Sequence, residues 1–330
     1  MAYTDIDKPS DYFNTKLYTG TGSEHAISGI GFAPNLVWLK CRSDANNPML
    51  FDTVRGATKN LYPNLTTAEG TEAQSLKSFD SDGYTLGTES DINGSSKTNV
   101  GWNWKAGGSS STNTDGSQNT TVSVNTTAGF SIVKWTGADS TGSLGHGLGA
   151  VPKMIIAKRL ATRNWTVYHV AMGANKKLFL NTTAAETSIA DFDATPTSSV
   201  INVGYTDDAN GSGSDYIAYC FAEKQGYSKF GSYTGNGNAD GTFVYTGFKP
   251  AWLMVKRTDG TDYWYMYDNK RDVDNVIEHK LEANDSAAEY TSVDWLDFTS
   301  NGFKWRYTGG GVNASGGTYI YMAFAENPFV

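Results

Sequence analysis

Apolar and polar positions along this chain alternate in short blocks. Runs of four to six apolar or aromatic residues are separated by clusters of Gly, Asn, Asp and Ser. That pattern predicts strands joined by turns. Phe130-Ser-Ile-Val-Lys-Trp135 alternates and predicts a half-exposed strand. Met154-Ile-Ile-Ala157 is continuously apolar and predicts a strand buried on both faces. One stretch has helical spacing, at Val276, Ile277, Lys280 and Leu281. It aligns with Leu178-Phe-Leu-Asn-Thr-Thr183, which has no helical period, so a strand is expected in both.

Self-comparison gives three copies of one unit. Each opens on an aromatic-Thr-Gly: Tyr18-Thr-Gly20, Trp135-Thr-Gly137 and Tyr233-Thr-Gly235. A Gly three residues before a Pro follows, at Gly31/Pro34, Gly149/Pro152 and Gly247/Pro250. Next comes an apolar run ending in Lys40, Lys158 or Lys256, then an aromatic-polar pair: Phe51-Asp52, Tyr168-His169 and Tyr267-Asp268. An Asn precedes a Glu by five residues at Asn64/Glu69, Asn181/Glu186 and Asn284/Glu289. A turn at Asn93, Asn210 or Asn313 leads into a last aromatic strand. The boundaries are 1–106 for the first copy, with an N-terminal arm, then 128–226 and 227–330. Between the first two lies 107–127, rich in Gly, Ser, Thr and Asn, read as a flexible linker. Copy one is therefore expected to sit more loosely than the other two. The fold class is all-β, three tandem jelly-roll sandwiches of the concanavalin or laminin-G kind.

Composition narrows the function. Hydrophobic residues make up 39% of the 330 and charged residues 18%, enough apolar material for packed cores. The net charge of −8 gives no electrostatic footprint for nucleic acid or anionic lipid. No apolar run has the ~20 residues that span a bilayer. The first ten residues lack the features of a secretory signal, which points to synthesis in the cytoplasm. The two cysteines, Cys41 and Cys220, have no disulfide or metal spacing, and Cys220 reads as an inert buried thiol.

Catalytic signatures are sparse. The four histidines do not recur between copies, and Gly145-His-Gly-Leu-Gly149 lacks the Lys and Ser/Thr of a phosphate loop. Glu69, Glu186 and Glu289 recur without a recurring carboxylate partner, as for solvated ends or ion pairs. A non-enzymatic protein is expected, with a polysaccharide depolymerase as the least favoured reading. Clustered oxygens at Asp80, Asp82, Asp207 and Asp208 are weak calcium candidates, set against ordinary Asx turns. Trp264, Tyr263 and Trp165 are candidates for glycan or partner contact, set against burial.

Long phrases carry a family resemblance. They include Pro9-Ser-Asp-Tyr-Phe-Asn-Thr-Lys-Leu-Tyr-Thr-Gly20, Asn103-Trp-Lys-Ala-Gly-Gly108, Gly145-His-Gly-Leu-Gly149, Gly226-Tyr-Ser-Lys-Phe-Gly-Ser-Tyr-Thr-Gly235 and Tyr319-Ile-Tyr-Met-Ala-Phe-Ala-Glu-Asn-Pro-Phe329. The sequence resembles a tandem-repeat domain family of structural proteins in marine tailed bacteriophages. The resemblance implies a virion surface component, tail-fibre-like or a head fibre or decoration protein. Its partners would be tail or capsid proteins and a host-surface glycan. It implies a homo-oligomer, a trimer if tail-attached, and it carries over no catalytic residues. The alternative is a lectin-like adhesion module. Copy one departs most, with Trp102-Asn-Trp104 where the others have Tyr219-Cys-Phe221 and Met322-Ala-Phe324. A distinct docking role is expected of it.

Overall fold

A computed structural model describes residue 4 and residues 6–328. The remaining terminal residues of the 1–106 and 227–330 boundaries lie outside the described residues, as does part of the segment read as lacking a signal. The protein is all-β, and its helices among the described residues are single turns at Pro9–Asp11, Ser90–Asn93 and Gly310–Asn313.

One antiparallel order recurs three times. In copy one the inner sheet runs Phe13–Thr19, Thr98–Trp104, Leu36–Cys41, Met49–Asp52. In copy two the same order is Phe130–Thr136, Asp215–Ala222, Pro152–Arg159, Trp165–His169. In copy three it is Ser228–Thr234, Thr318–Pro328, Phe248–Arg257, Trp264–Asp268. The last strand of each copy therefore lies between its first strand and the strand that follows the Pro. A smaller outer sheet covers each inner one. It is His25–Ser28 with Gly83–Leu86 and Leu76–Asp80 in copy one, and Gly142–Gly145 with Val200–Val203 in copy two. In copy three it is Phe243–Tyr245 with Gly302–Trp305 and Leu296–Thr299.

Each sandwich has its own core between the two sheets. In copy one Val37, Leu39, Met49 and Phe51 meet Ile27, Tyr84 and Leu86. The other face of every inner sheet is buried too, against the other copies. Phe13, Trp38, Trp102 and Trp104 join Phe130, Ile156, Tyr219 and Phe221, and Phe230, Trp252, Met254 and Phe324, in one core. Phe13 stacks on Phe324, with ring centroids 5.0 Å apart, and Trp104 meets Trp252 edge-on at 5.6 Å. The continuous run Met154–Ala157 is explained directly: Met154 and Ile156 enter the shared core, and Ile155 and Ala157 enter that of copy two. Phe130–Thr136 differs from the half-exposed strand expected. Phe130 and Ile132 face the shared core, whereas Val133 and Trp135 face inward to copy two.

Two expectations about copy one are overturned. Its tryptophans sit at the centre of the shared core and dock within the chain, so copy one is not loosely held. The 107–127 segment is also not a free linker. Ser111–Asn113 and Thr120–Asn125 form strands that extend the inner sheet of copy two, with Thr121–Asn125 paired to Phe130–Lys134. Val122 supplies a buried apolar side chain there, which a polar composition concealed. Of the helically spaced stretch only Leu281 enters a strand, Leu281–Glu282, paired with Met266 and Tyr265; Ile277 and Lys280 make isolated bridges to Leu296 and Tyr290, and Val276 lies in a bend, so the strand expected there is reduced to its end.

Steric contacts explain the repeated glycines. Gly20, Gly137 and Gly235 pass against the backbone of the turn before the last strand. A Cβ there would lie 2.3, 2.2 and 2.3 Å from the carbonyl oxygens of Gly94, Gly211 and Ala314. The buried amides of Asn93, Asn210 and Asn313 tie the same two loops together. Each accepts a backbone N–H from the loop after the glycine (Thr21, Ala138 and Asn236) and donates back to it. Gly137→Ala should force these backbones apart and cost about 1–3 kcal/mol. A urea midpoint unchanged from wild type would contradict the close contact.

Candidate functional site: the joints between copies

The recurring residues converge on the boundaries between copies, and they repeat in cyclic order. The polar residue after the aromatic reaches into the next copy each time. Asp52 Oδ2 accepts from the Tyr219 hydroxyl at 2.8 Å, joining copy one to copy two. His169 Nε2 lies 3.2 Å from the Tyr321 carbonyl, joining two to three. Asp268 Oδ2 accepts from Trp102 Nε1 at 3.1 Å, joining three to one. All six residues are buried.

The partner chemistry varies in step. Tyr219, Trp102 and Met322 hold equivalent places in the last strands. Where the strand offers an O–H or N–H, the neighbour presents a carboxylate. Where it offers the donor-free Met322, the neighbour presents an imidazole that reaches the adjacent main-chain carbonyl. Burial pushes the His169 imidazole down to about 4, so it is neutral at pH 7. As the neutral ring, it accepts the Ala171 N–H at Nδ1, 3.2 Å, and donates from Nε2. Burial, then the Asp52 charge, raises Tyr219, which keeps its phenol protonated as a donor.

The two aspartates are members of buried triads. Asp52 binds Arg55 Nε at 2.5 Å, and Arg55 Nη1 reaches Glu69 Oε2 at 3.3 Å. Asp268 binds Arg271 Nε at 2.6 Å, and Arg271 Nη1 reaches Glu289 Oε1 at 2.9 Å. Both arginine side chains are 0–1% exposed. The recurring glutamates thus do have carboxylate partners in copies one and three, bridged by an arginine. Copy two replaces both members, with His169 for Asp and Met172 for Arg, and its Glu186 turns to Lys176 instead.

The glutamate loops form a second set of joints. The backbone N–H of Glu69, Glu186 and Glu289 donates to the carbonyl of Leu160, Thr258 and Arg42, each at 2.8–2.9 Å and each in the next copy. The lysine that ends the apolar run donates to the same loops in return. Lys40 Nζ reaches the carbonyls of Cys41, Asn46 and Ser286 at 2.9–3.0 Å. Lys158 Nζ reaches those of Arg159, Ala161 and Arg163 at 2.8–2.9 Å, and Thr66 at 3.5 Å. Lys256 Nζ reaches Arg257 at 2.6 Å and Thr183 at 3.3 Å. Burial pushes all three ammonium groups down to about 8, yet the carbonyls around each accept its protons. Ser286, Thr66 and Thr183 each stand three residues before the recurring Glu. An Asn–Glu spacing that looked like turn chemistry is the clasp between copies.

The candidate residues from the sequence do not form one site. Trp165 and Trp264 are buried at 0% and 1% exposure, so neither offers a ring face to a glycan. Their indoles donate to the carbonyls of Tyr62 and Phe179 in the preceding copy, at 3.0 Å in both cases. Tyr263 is half-buried, against Tyr265. Among the calcium candidates, Asp80 accepts from Ser78 and Thr85 hydroxyls, and exposed Asp82 accepts from the Gly29 and Gly31 backbone N–H groups. These N–H groups hold the Asp82 carboxyl below its usual range. Asp207 is engaged by Arg159 and Arg163, and Asp208 by Lys177. Among the described residues, no three acidic, His or Cys side chains converge on a metal position. Cys41 and Cys220 are buried free thiols, and burial pushes Cys220 up. No helix among the described residues is long and apolar enough to cross a membrane.

The class defined by this fold and these joints is an all-β chain of three sandwiches closed around one core. A family model described as "Domain of unknown function (DUF7483)" matches residues 8–328, and the chain belongs to that family. The match crosses all three copies. No curated protein and no solved structure matches the chain.

Proposed function

We propose that this protein is a structural component of the surface of a bacteriophage particle, tail-fibre-like or a head fibre or decoration protein. The observation that carries this reading is the cyclic closure of three copies on a shared core. The repeated acids, bases and lysines engage one another or main-chain carbonyls at buried joints. Such an arrangement makes a stiff body that resists shear and holds loops in fixed positions. It leaves Asp52, Asp268 and their glutamates bridged by arginine, unlike an acid pair facing a substrate groove. The family phrases that run the length of the chain favour the particle setting. The three-fold arrangement that a tail trimer would supply by assembly exists here within one chain, so one chain matches a three-fold attachment point.

The test is direct. Particles of the phage encoding this chain are purified by density gradient, quantified by mass spectrometry and labelled with antibody to the chain. The reading expects a fixed copy number per particle and surface labelling. Recovery of the chain only from infected-cell lysate, with none in washed particles, overturns it.

A further inference from the structure

Among the described residues, copy two lacks a strand that its sisters have. The outer sheets of copies one and three end in Leu76–Asp80 and Leu296–Thr299, whereas that of copy two holds Gly142–Gly145 and Val200–Val203 alone. The residue just before the missing strand is Asp191. Its main-chain carbonyl accepts the Gly204 N–H at 3.0 Å, as the carbonyls of Ser75 and Trp295 accept the Gly87 and Arg306 N–H groups in copies one and three. The Asp191 side chain is fully buried, and the Lys177 side chain nearly so. Lys177 Nζ lies 2.6 Å from Asp191 Oδ2, 14 residues apart in the chain, and 3.0 Å from Asp208 Oδ2.

Copy three holds a lysine at the same place. The Lys177 N–H donates to the Thr187 carbonyl, and the Lys280 N–H to that of Tyr290. Lys280 Nζ sits 4.2–4.6 Å from the ring centres of Tyr265, Tyr290 and Trp295, and it pairs with Glu282 two residues along. Copy two replaces Tyr265 with Thr166 and Trp295 with Asp191. The fold therefore accommodates this lysine without an acid at the Asp191 place, and the exchange sets a carboxylate directly against a buried amine. Asp191 Oδ1 accepts the Thr206 hydroxyl at 2.6 Å, and Oδ2 the Thr166 hydroxyl at 2.7 Å. One ammonium faces two carboxylates, and among the described residues neither carboxylate has another ion-pair partner. Such an excess of buried charge is costly.

We propose that Lys177 and Asp191 join in an isopeptide bond that closes copy two without an outside enzyme. Nζ attacks Asp191 Cγ, the new N–C bond forms and the Cγ–Oδ2 bond breaks. Two protons leave Nζ and depart with Oδ2 as water, carried by Asp208, which ends as it began. An ammonium and a carboxylate thus become one neutral amide and one water. Holding the two groups in contact supplies the effective concentration that a free amine and acid lack. The product keeps the surrounding contacts. The amide N–H is placed to donate to Asp208 Oδ2, and the amide oxygen, the former Oδ1, accepts the Thr206 hydroxyl. The bond removes two buried charges and pins the segment that the missing strand would have held. Copies one and three have Ser75 and Trp295 in place of Asp191, so one bond is expected per chain.

Mass spectrometry of the purified full-length chain, unfolded in guanidinium, tests it. The intact mass should fall below that of the linear chain by one water. Digestion should give one branched peptide that joins the segments of Lys177 and Asp191. Lys177→Arg, which keeps the positive charge, should restore the mass of the linear chain. Asp208→Asn retains both reacting residues and should leave most of the protein unlinked. A wild-type protein at the mass of its linear chain, or a lost water that maps to other residues, overturns the proposal. Linkage as complete in Asp208→Asn as in wild type overturns the role given to Asp208. None of these results depends on whether the chain is found in particles.

Discussion

Asp52→Ala is expected to destabilise the protein by about 3–5 kcal/mol, the range for breaking a buried ion pair by removing one partner. A surface pair would cost at most about 1 kcal/mol, because water replaces the lost partner. No water replaces it here: the Asp52 side chain is 0% exposed and that of Arg55 1%. The substitution also removes the acceptor of the Val54 and Arg55 backbone N–H groups, at 3.0 and 2.9 Å, and of the Tyr219 hydroxyl in copy two. Glu69 retains one contact to Arg55 and keeps the loss at the lower end. Copy two suggests the remedy, since it holds His169 and Met172 at the same places. Asp52→His combined with Arg55→Met should be more stable than Asp52→Ala, because neither new residue is an unpaired buried charge. Denaturant titration of the three proteins decides it. A cost below about 1 kcal/mol for Asp52→Ala would place this triad with ordinary surface pairs.

Acid should weaken the joint between copies two and three through His169. Burial lowers its pKa to about 4, from an ordinary value near 6.5. The folded state therefore binds fewer protons than the unfolded state between these values. The stability contribution is complete above about pH 6.5 and is lost as pH falls through about 4. Over the whole window this amounts to about 3 kcal/mol, of which about 2 should be lost between pH 7.5 and 4.5. His169→Gln keeps an N–H for the Tyr321 carbonyl and has no titration. Its stability should fall less than that of wild type over the same pH interval, by about that difference. Parallel pH profiles for the two proteins would show that His169 does not couple protonation to folding. His146 is lowered by burial in the same direction but remains in both proteins, so the comparison cancels it.

Much of the architecture was readable because the sequence repeats. The strands and the two-sided burial of Met154–Ala157 follow from apolar spacing, and the three copies from Gly, Pro, Lys, Asn and Glu landmarks kept in one order. The way the copies meet was not readable from spacing. A continuous apolar run says that both faces are covered but not which element covers the second. One signal was available. Asp52/Arg55 and Asp268/Arg271 share a spacing of three, and copy two exchanges both members together, for His169 and Met172. Paired substitution between internal copies marks contact. Polar composition misled at 107–127, where Val122 and Val124 anchor two added strands among Ser, Thr and Asn. At Trp165 and Trp264 the burial reading set against glycan contact is the one the structure supports, with their indole N–H groups joining copies.

The measurement that bears most directly on the shared core is a cut between copies one and two. A protease site placed in the exposed 107–110 turn separates residues before and after it without touching a buried strand. If three faces cover one another, the two fragments stay together on size exclusion without denaturant and unfold in a single transition. Elution as two independent species, each with its own melting point, would mean that the copies are separate domains on a string.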